Sequence, residues 1–211
     1  MLFRSPRALF WFRWGAAWTW FSGFVLAGII YYHSKDTLFE QEHPGNPWLW
    51  LAVFLITAAV GFVIYNAIMK MLANKVVGAT ICMVLYAGFY AVLEFCGHYN
   101  GRSLYIHAGM IFGTMMALNV WMVIWPNQQK IINALKAGTP LAADSPEVKI
   151  AGLRSRHNTF MSVPLVFFMI SNHYYLLYGS HYRDAMAAGV IVLGFIMTRI
   201  LYGKAAKVQG F

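Results

Sequence analysis

Long apolar segments alternate with short polar ones along most of the chain. They predict six helical spans, at about residues 8–32, 48–69, 76–96, 103–125, 158–178 and 183–202. A helix of about 20 apolar residues is long enough to cross the ~30 Å hydrocarbon core of a bilayer. The pattern therefore predicts an all-α fold: a single domain over residues 1–211, forming an integral membrane bundle of about six transmembrane helices.

The polar connections are short, except for residues 126–157. In this loop the segment NQQKIINALKAG has apolar residues on one side, which predicts a helical extension that ends at Gly138. Ser145 followed by Pro146 predicts a new helix start, with Ser145 as the N-cap residue. Pro164 falls inside the fifth span and predicts a kink there.

Composition agrees with a membrane protein. The chain is 60% hydrophobic and 11% charged, whereas soluble domains carry about 25% charged residues. The net charge of +9 could indicate nucleic-acid binding, but the basic residues lie in loops and at helix ends. This distribution is an orientation signal, so we expect membrane lipid and no nucleic acid as a partner.

The basic residues also predict the orientation of the bundle. Thirteen of the 16 Lys and Arg residues fall on the side that holds both termini. By the positive-inside rule both termini are cytoplasmic, as in a multi-pass protein of a bacterial inner membrane. Cys82 and Cys96 lie about 21 Å apart on one predicted helix and cannot form a disulfide. Without a CxxCH motif, no covalently attached haem is expected.

Two histidines stand at matching depth within the apolar spans. His107 and His173 both lie about 6–8 Å below the outer boundary of their predicted helices. They could be the axial metal ligands of a b-type haem held between those helices. Gly109 and Gly113 would let the flat macrocycle approach the backbone. The alternative is that both are interfacial histidines, hydrogen-bonded to neighbouring helices or headgroups.

Other polar residues within the spans are candidates for function. A carboxylate inside a membrane span is costly and usually functional, so Glu94 could handle a proton together with His98, four residues later on the predicted helix. The alternative for Glu94 is an acid that reaches the interface from the helix end. Asn119 and Asn172 are expected to hydrogen-bond across helices, and the Tyr and Trp residues of the first span to lie at the interfaces.

Two stretches carry specific motifs, GRSLYIHAGMIFGTMMALNVWMVIWPNQQKII and RSRHNTFMSVPLVFFMISNHYY. There the chain resembles the membrane domain of the bacterial urate hydroxylase family, which is the PuuD-type, cytochrome c-coupled urate oxidase. The matching positions are His107, Gly109, Gly113, Thr114, Asn119, Pro126, Asn127, Gln128, Arg154, His157, Asn158, Pro164, Ser171, Asn172 and His173.

The resemblance implies a membrane redox enzyme that oxidises urate and passes electrons to a c-type cytochrome. It adds Asn172 and His157 to the cofactor-binding set. No cytochrome c domain follows before Phe211, and Trp14 and Trp18 stand near where family members are expected to carry a histidine. We therefore expect a separate periplasmic c-type cytochrome as the electron partner.

Two other functions remain open from the sequence. A cofactor-free accessory subunit of a larger respiratory or other membrane complex would have the same composition, with other subunits of that complex as its partners. A small-solute transporter is disfavoured, because the chain has no inverted repeat and no pair of Gly/Pro-broken helices.

Overall fold

The computed structural model describes residues 6–33, 35–43 and 45–207. These residues form nine α-helices and no strand. The helices are α1 (Pro6–Ala27), α2 (Lys35–Leu38), α3 (Pro47–Met71), α4 (Lys75–Ala91), α5 (Gly101–Leu118), α6 (Trp125–Lys136), α7 (Pro146–Ser171), α8 (Tyr175–Tyr178) and α9 (Arg183–Ala205).

Within the described part of the chain, four helical segments are long and apolar enough to cross a membrane. They are Pro47–Met71, Lys75–Cys96, Gly101–Lys136 and Arg183–Ala205. Their outer faces expose large aliphatic side chains such as Val63, Val84 and Leu193, which is typical of helices that contact lipid. The prediction of an all-helical membrane protein is confirmed. That α1 and α7 also cross, and that both termini are cytoplasmic, stay predictions.

Among the described residues, three helices continue into a π-turn, in which one extra residue widens the helix. The π-turns are Gly28–Tyr32, Val92–Cys96 and Asn119–Ile124. Such turns redirect side chains and are frequent at functional sites. Each of the three holds a polar residue that makes a long-range contact, namely Tyr32, Glu94 and Asn119.

The largest difference from the prediction concerns the fifth predicted span, which corresponds to α7. It was expected at about residues 158–178, but α7 begins at Pro146 and ends at Ser171. His173 therefore lies in a turn and outside the helix, with its N–H bonded to Ile170 O at 3.0 Å. The predicted start at Pro146 is confirmed. Ser145 occupies the predicted N-cap position, where its carbonyl accepts from Lys149 N at 3.0 Å, but its buried Oγ makes no capping hydrogen bond among the described residues.

The long loop contains the predicted helical extension. The helix that begins at Gly101 continues through Lys136, so Pro126 does not end it. Gly138 follows with φ +75°, a left-handed conformation that glycine adopts at little cost. Pro164 lies inside α7, as predicted.

The chain forms two compact units. One contains residues 6–23, Phe112–Phe167 and residues 184–207. In this unit Arg13 lies against the Trp121 and Trp125 rings, at 4.9 and 4.1 Å from their centroids, and Phe160 packs edge-on against Phe195. Cation–π contacts of this kind hold a charged side chain on an aromatic surface.

The other unit contains Phe24–Ile111 and Phe168–Arg183. Its α3 and α4 are joined by a tight turn, in which Lys75 Nζ donates to the carbonyls of Met69 and Leu72 at 2.7 and 2.6 Å. These contacts satisfy carbonyl groups at the end of α3. The rings of Phe54 and Phe89 pack between the two helices, with their centroids 6.2 Å apart.

Gly194 allows α9 to pack closely on α7. A Cβ atom at Gly194 would lie 2.8 Å from Val163 Cγ1, closer than side chains pack in folded proteins. We expect Gly194→Ala to lower the free energy of unfolding by about 1–3 kcal/mol. Gly189, on the same helix, has nothing within 4 Å of such an atom. Gly189→Ala is therefore the matched control, with a neutral or slightly stabilising effect. Unfolding in mixed micelles measures both, and equal effects would contradict close packing at Gly194.

Candidate functional site

His107 is completely buried on α5, and both of its ring nitrogens have hydrogen-bond partners. Nδ1 lies 2.7 Å from Ser103 O, and Nε2 lies 2.7 Å from Tyr32 Oη. A carbonyl oxygen can only accept, so Nδ1 is the nitrogen that donates. In the neutral ring, Nε2 then accepts the hydrogen of the Tyr32 hydroxyl. The fold thus selects one tautomer and leaves Nε2 as the basic atom.

Four aromatic rings enclose the His107 imidazole. The rings of Tyr31, Tyr32, Phe54 and Tyr99 lie edge-on to it, with centroids 4.9–5.7 Å away. All four residues are themselves buried. Edge-to-face contacts are a favourable geometry for aromatic pairs, and they exclude water from the imidazole. We call these four residues and His107 the His107 cage.

A chain of hydrogen bonds fixes the wall of the His107 cage at the start of α5. Asn100 Oδ1 accepts from Ser103 N at 2.9 Å, and Asn100 Nδ2 donates to Thr37 O at 2.8 Å. Ser103 Oγ donates to Leu38 O at 2.5 Å, and Thr37 Oγ1 donates to Ile30 O at 2.7 Å. The carbonyl that orients His107 is therefore held by contacts to the segment before α3.

Tyr99 brings a buried hydroxyl to this region. Its Oη lies near the Tyr32 hydroxyl and makes no hydrogen bond of regular geometry among the described residues. Burial, reinforced by the nearby Tyr32, raises the pKa of the Tyr99 phenol well above its ordinary value. Tyr99 is therefore a neutral hydrogen-bond donor beside His107. An unpaired buried donor is costly, so this hydroxyl is a candidate contact for a bound group.

Asn172 connects the turn after α7 to the His107 cage. Its Oδ1 accepts hydrogen bonds from Tyr31 Oη at 3.1 Å and from Arg102 Nε at 2.5 Å. The prediction that Asn172 bonds across helices is therefore confirmed. His173 is exposed and lines a largely apolar surface hollow with residues 174–177. Among the described residues, His173 and His107 are joined only indirectly, through Asn172 and Tyr31.

Glu94 is paired with a cation. Its Oε1 lies 2.8 Å from the guanidinium of Arg183, and only 12% of the Glu94 side chain is exposed. The Tyr105 hydroxyl donates to the backbone oxygen of the same arginine. Glu94 is therefore held by a specific partner and has little contact with solvent.

The prediction that Glu94 and His98 share a helical face is wrong. The helix ends at Cys96 after its π-turn, and His98 follows in a left-handed conformation with φ 48°. Its ring stacks on the ring of His43, with centroids 4.3 Å apart. The two predicted proton-handling residues thus have different partners.

One family profile, described as urate oxidase N-terminal, matches residues 3–209. The chain belongs to the urate oxidase N-terminal family. The resemblance to the membrane domain of the bacterial urate hydroxylase is thereby confirmed. Comparison with curated proteins and with solved structures returned no match.

A second polar cluster in this member of the urate oxidase N-terminal family lies in the first compact unit. Asn119 Nδ2 donates to Asn158 Oδ1 at 2.9 Å, which confirms the predicted cross-helix bond of Asn119. Asn158 Nδ2 donates to Met116 O at 3.1 Å, and the buried Arg154 lies 3.5 Å from Asn119 Oδ1. All three polar residues belong to the motifs that carry the family resemblance.

The other predicted cofactor residues, Gly109, Gly113 and His157, differ in their burial and in their neighbours. Gly109 is buried on α5. A Cβ at Gly113 would meet Leu165 Cδ1 at 3.6 Å, an ordinary contact, so Leu165 already covers this glycine. His157 is half-buried on α7 within the first unit. Gly113 and His157 thus belong to the first compact unit, whereas the His107 cage belongs to the second.

The residues that sequence reasoning missed are the tyrosines. Tyr31 and Tyr32 were expected at a membrane interface, but they are 2% and 3% exposed and contact His107. Their depth in the membrane stays a prediction, and their burial against His107 was not foreseen. Tyr32 is separated from His107 by 75 positions, so no local pattern marks the pair. The one available signal was the predicted topology, which places the end of the first span and the start of the fourth on the same side of the membrane.

Proposed function

We propose that this member of the urate oxidase N-terminal family is the membrane-embedded redox part of a urate-oxidising system. In this proposal it binds a b-type haem through His107. The observation that carries it is the buried imidazole, whose Nδ1 is held by Ser103 O at 2.7 Å while Nε2 remains the basic atom. Family membership supports the link to urate.

The chemistry of His107 fits a haem ligand. Histidines that bind metals commonly donate their other ring N–H to a carbonyl or carboxylate, which orients the ring and raises its basicity. Ser103 O provides this contact. In the structure the Tyr32 hydroxyl occupies Nε2, and His107 is completely enclosed. A haem would therefore bind there only if the Tyr32 side chain moves out of the His107 cage. A haem bound there supplies one-electron transfer.

The proposed second ligand is His173. It lies on the turn after α7, next to Asn172, which bonds to Tyr31 of the His107 cage. His173 is exposed, whereas His107 is buried. Mutation of each histidine separates their roles in haem binding. Loss of the first ligand should release the haem, whereas loss of the second should change its spin state.

The proposal places the protein in the bacterial inner membrane, where a separate periplasmic c-type cytochrome accepts its electrons. The uneven distribution of Lys and Arg supports this orientation, and the family resemblance supports the partner. Glu94 is the proposed proton carrier near the outer surface. Its ion pair with Arg183 holds the carboxylate between the end of α4 and the start of α9.

Absorption spectra of the purified chain test the cofactor directly. We expect a reduced band near ~560 nm after dithionite, as for a low-spin haem with imidazole ligands. His107→Ala should abolish this band, and His173→Ala should shift it to a high-spin form. His181→Ala, which changes an exposed histidine, is the matched control and should leave the spectrum unchanged.

The activity is tested separately. Addition of urate should reduce added cytochrome c in the presence of the wild-type chain, and His107→Ala should lose at least 90% of that rate. A flat spectrum from a chain that is folded and helical would overturn haem binding. Without urate-dependent reduction as well, a cofactor-free accessory subunit becomes the better description.

A further inference from the structure

Three metal-binding side chains converge on the loops next to the His107 cage. Glu40, His43 and His98 each place one ligand atom within 4.8 Å of the others. Glu40 and His43 lie between α2 and α3, and His98 lies between α4 and α5. All three belong to the same compact unit and to none of the four membrane-crossing segments. Glu40 and His43 are exposed, so an ion can reach them.

Backbone contacts hold these two loops together. Glu40 N donates to His98 O at 2.8 Å, beside an antiparallel bridge between Phe39 and Tyr99. His43 N donates to Glu40 O at 3.1 Å, which closes a turn. Since Phe39 and Tyr99 are both buried, the positions of the three donor residues are set by the core of the unit.

His98 also has an unusual backbone conformation. Among the described residues, it is the one non-glycine residue with a positive φ, at 48°. A side chain in this region costs on the order of 1–2 kcal/mol relative to glycine, and Asn is the better tolerated alternative. In this conformation the His98 imidazole stacks on that of His43, with an angle of 14° between the ring planes. Strain of this kind is concentrated at functional sites.

The donor set matches zinc. We propose that Glu40, His43 and His98 bind a Zn²⁺ ion, with a fourth position open to water. Zinc with three N or O protein ligands keeps such an open position, at ligand distances of about 2.0–2.2 Å. Ligand atoms around tetrahedral zinc are then about 3.3–3.6 Å apart. The three ligand atoms now lie within 4.8 Å of one another, so zinc binding requires the side chains to rotate until this spacing is reached.

The site is independent of the proposed haem. Its ligands are outside the His107 cage, although His98 precedes Tyr99, whose ring lies 4.9 Å from His107. A bound ion would join the loop before α3 to the turn before α5 and hold Tyr99 in place. Zinc binding should therefore stabilise the folded chain without changing its absorption spectrum.

Competition with a chromophoric zinc chelator tests the site in the tag-free, detergent-purified chain after removal of bound metal. We expect one Zn²⁺ per chain. His43→Ala and His98→Asn should each weaken binding at least tenfold, and the double variant should abolish it. Asparagine tolerates the left-handed conformation at position 98. His181→Ala removes an exposed histidine elsewhere and should leave the stoichiometry and affinity unchanged.

Thermal unfolding provides a second measurement. Zinc should raise the Tm of the wild-type chain and of His181→Ala, and should not raise that of His43→Ala. If His98→Asn does not fold, His43→Ala and Glu40→Gln carry the same test. No stoichiometric zinc in the wild-type chain, or a site that survives the double substitution, would overturn the proposal and leave a stacked histidine pair.

Discussion

The His107→Ala chain is expected to lose about 3–5 kcal/mol of unfolding free energy. Two costs combine at this position. Removal of the imidazole leaves a cavity among four aromatic rings that are themselves buried. It also leaves Ser103 O and the Tyr32 hydroxyl without their partner, and each unsatisfied buried group costs about 1–3 kcal/mol.

Graded substitutions separate these two costs. Tyr32→Phe removes one hydrogen bond and keeps the ring, so we expect a loss of only about 1 kcal/mol. His181→Ala, on the surface, should change stability by less than about 0.5 kcal/mol. Unfolding in mixed micelles, followed by circular dichroism, measures all three. A His107→Ala chain as stable as the His181→Ala chain would show that the His107 cage does not form.

The Glu94–Arg183 ion pair is expected to give the second largest effect. Both side chains are mostly buried, at 12% and 23% exposed, and their charged atoms lie 2.8 Å apart. Loss of one partner leaves the other charge poorly solvated. We expect Glu94→Gln to lower stability by about 2–3 kcal/mol, slightly below the range for fully buried pairs. The double variant with Arg183→Gln should recover more than about 1 kcal/mol of coupling energy.

The Lys130–Glu147 pair provides the matched control. Its atoms are 3.8 Å apart, and 65% of the Lys130 side chain is exposed. Surface pairs of this kind contribute about 0–1 kcal/mol, so Glu147→Gln should have little effect. Equal effects of Glu94→Gln and Glu147→Gln would contradict a structural role for the Glu94 pair.

Activity measurements distinguish two roles of Glu94. A proton carrier requires the carboxylate itself, so Glu94→Gln should lower urate-dependent reduction of cytochrome c at least tenfold more than Arg183→Gln. A purely structural pair predicts equal losses, because both variants break the same contact. The ratio of the two rates, each measured per amount of folded protein, decides between the two roles.

Local sequence predicted much of the helical architecture, but it misplaced one helix end. The apolar run continues beyond Ser171 into Tyr175–Tyr178, so hydropathy alone extends the helix. In the structure the chain turns at Asn172 and His173 without the glycine or proline that commonly marks such an end. The Asn172 side chain holds this turn in place through hydrogen bonds to Tyr31 and Arg102.

The candidate site was only half visible in the sequence. His107 could be singled out because a histidine inside an apolar span is unusual and its depth can be read from helix geometry. Its partners could not, because Tyr32 looks like any aromatic residue at the end of a span. The hydrogen bond between Tyr32 and His107 joins residues 75 positions apart, and Tyr32 lies in the π-turn at Gly28–Tyr32.

The sequence by itself determined the all-helical membrane class, most helix positions and the family, because apolar length and family motifs are properties of contiguous residues. Only the tertiary structure decided which polar groups meet. It pairs Glu94 with Arg183, joins Tyr32 to His107 by a hydrogen bond and brings Glu40 and His43 close to His98. These contacts join residues far apart along the chain, and their geometry depends on helix packing and on turns that hydropathy does not encode.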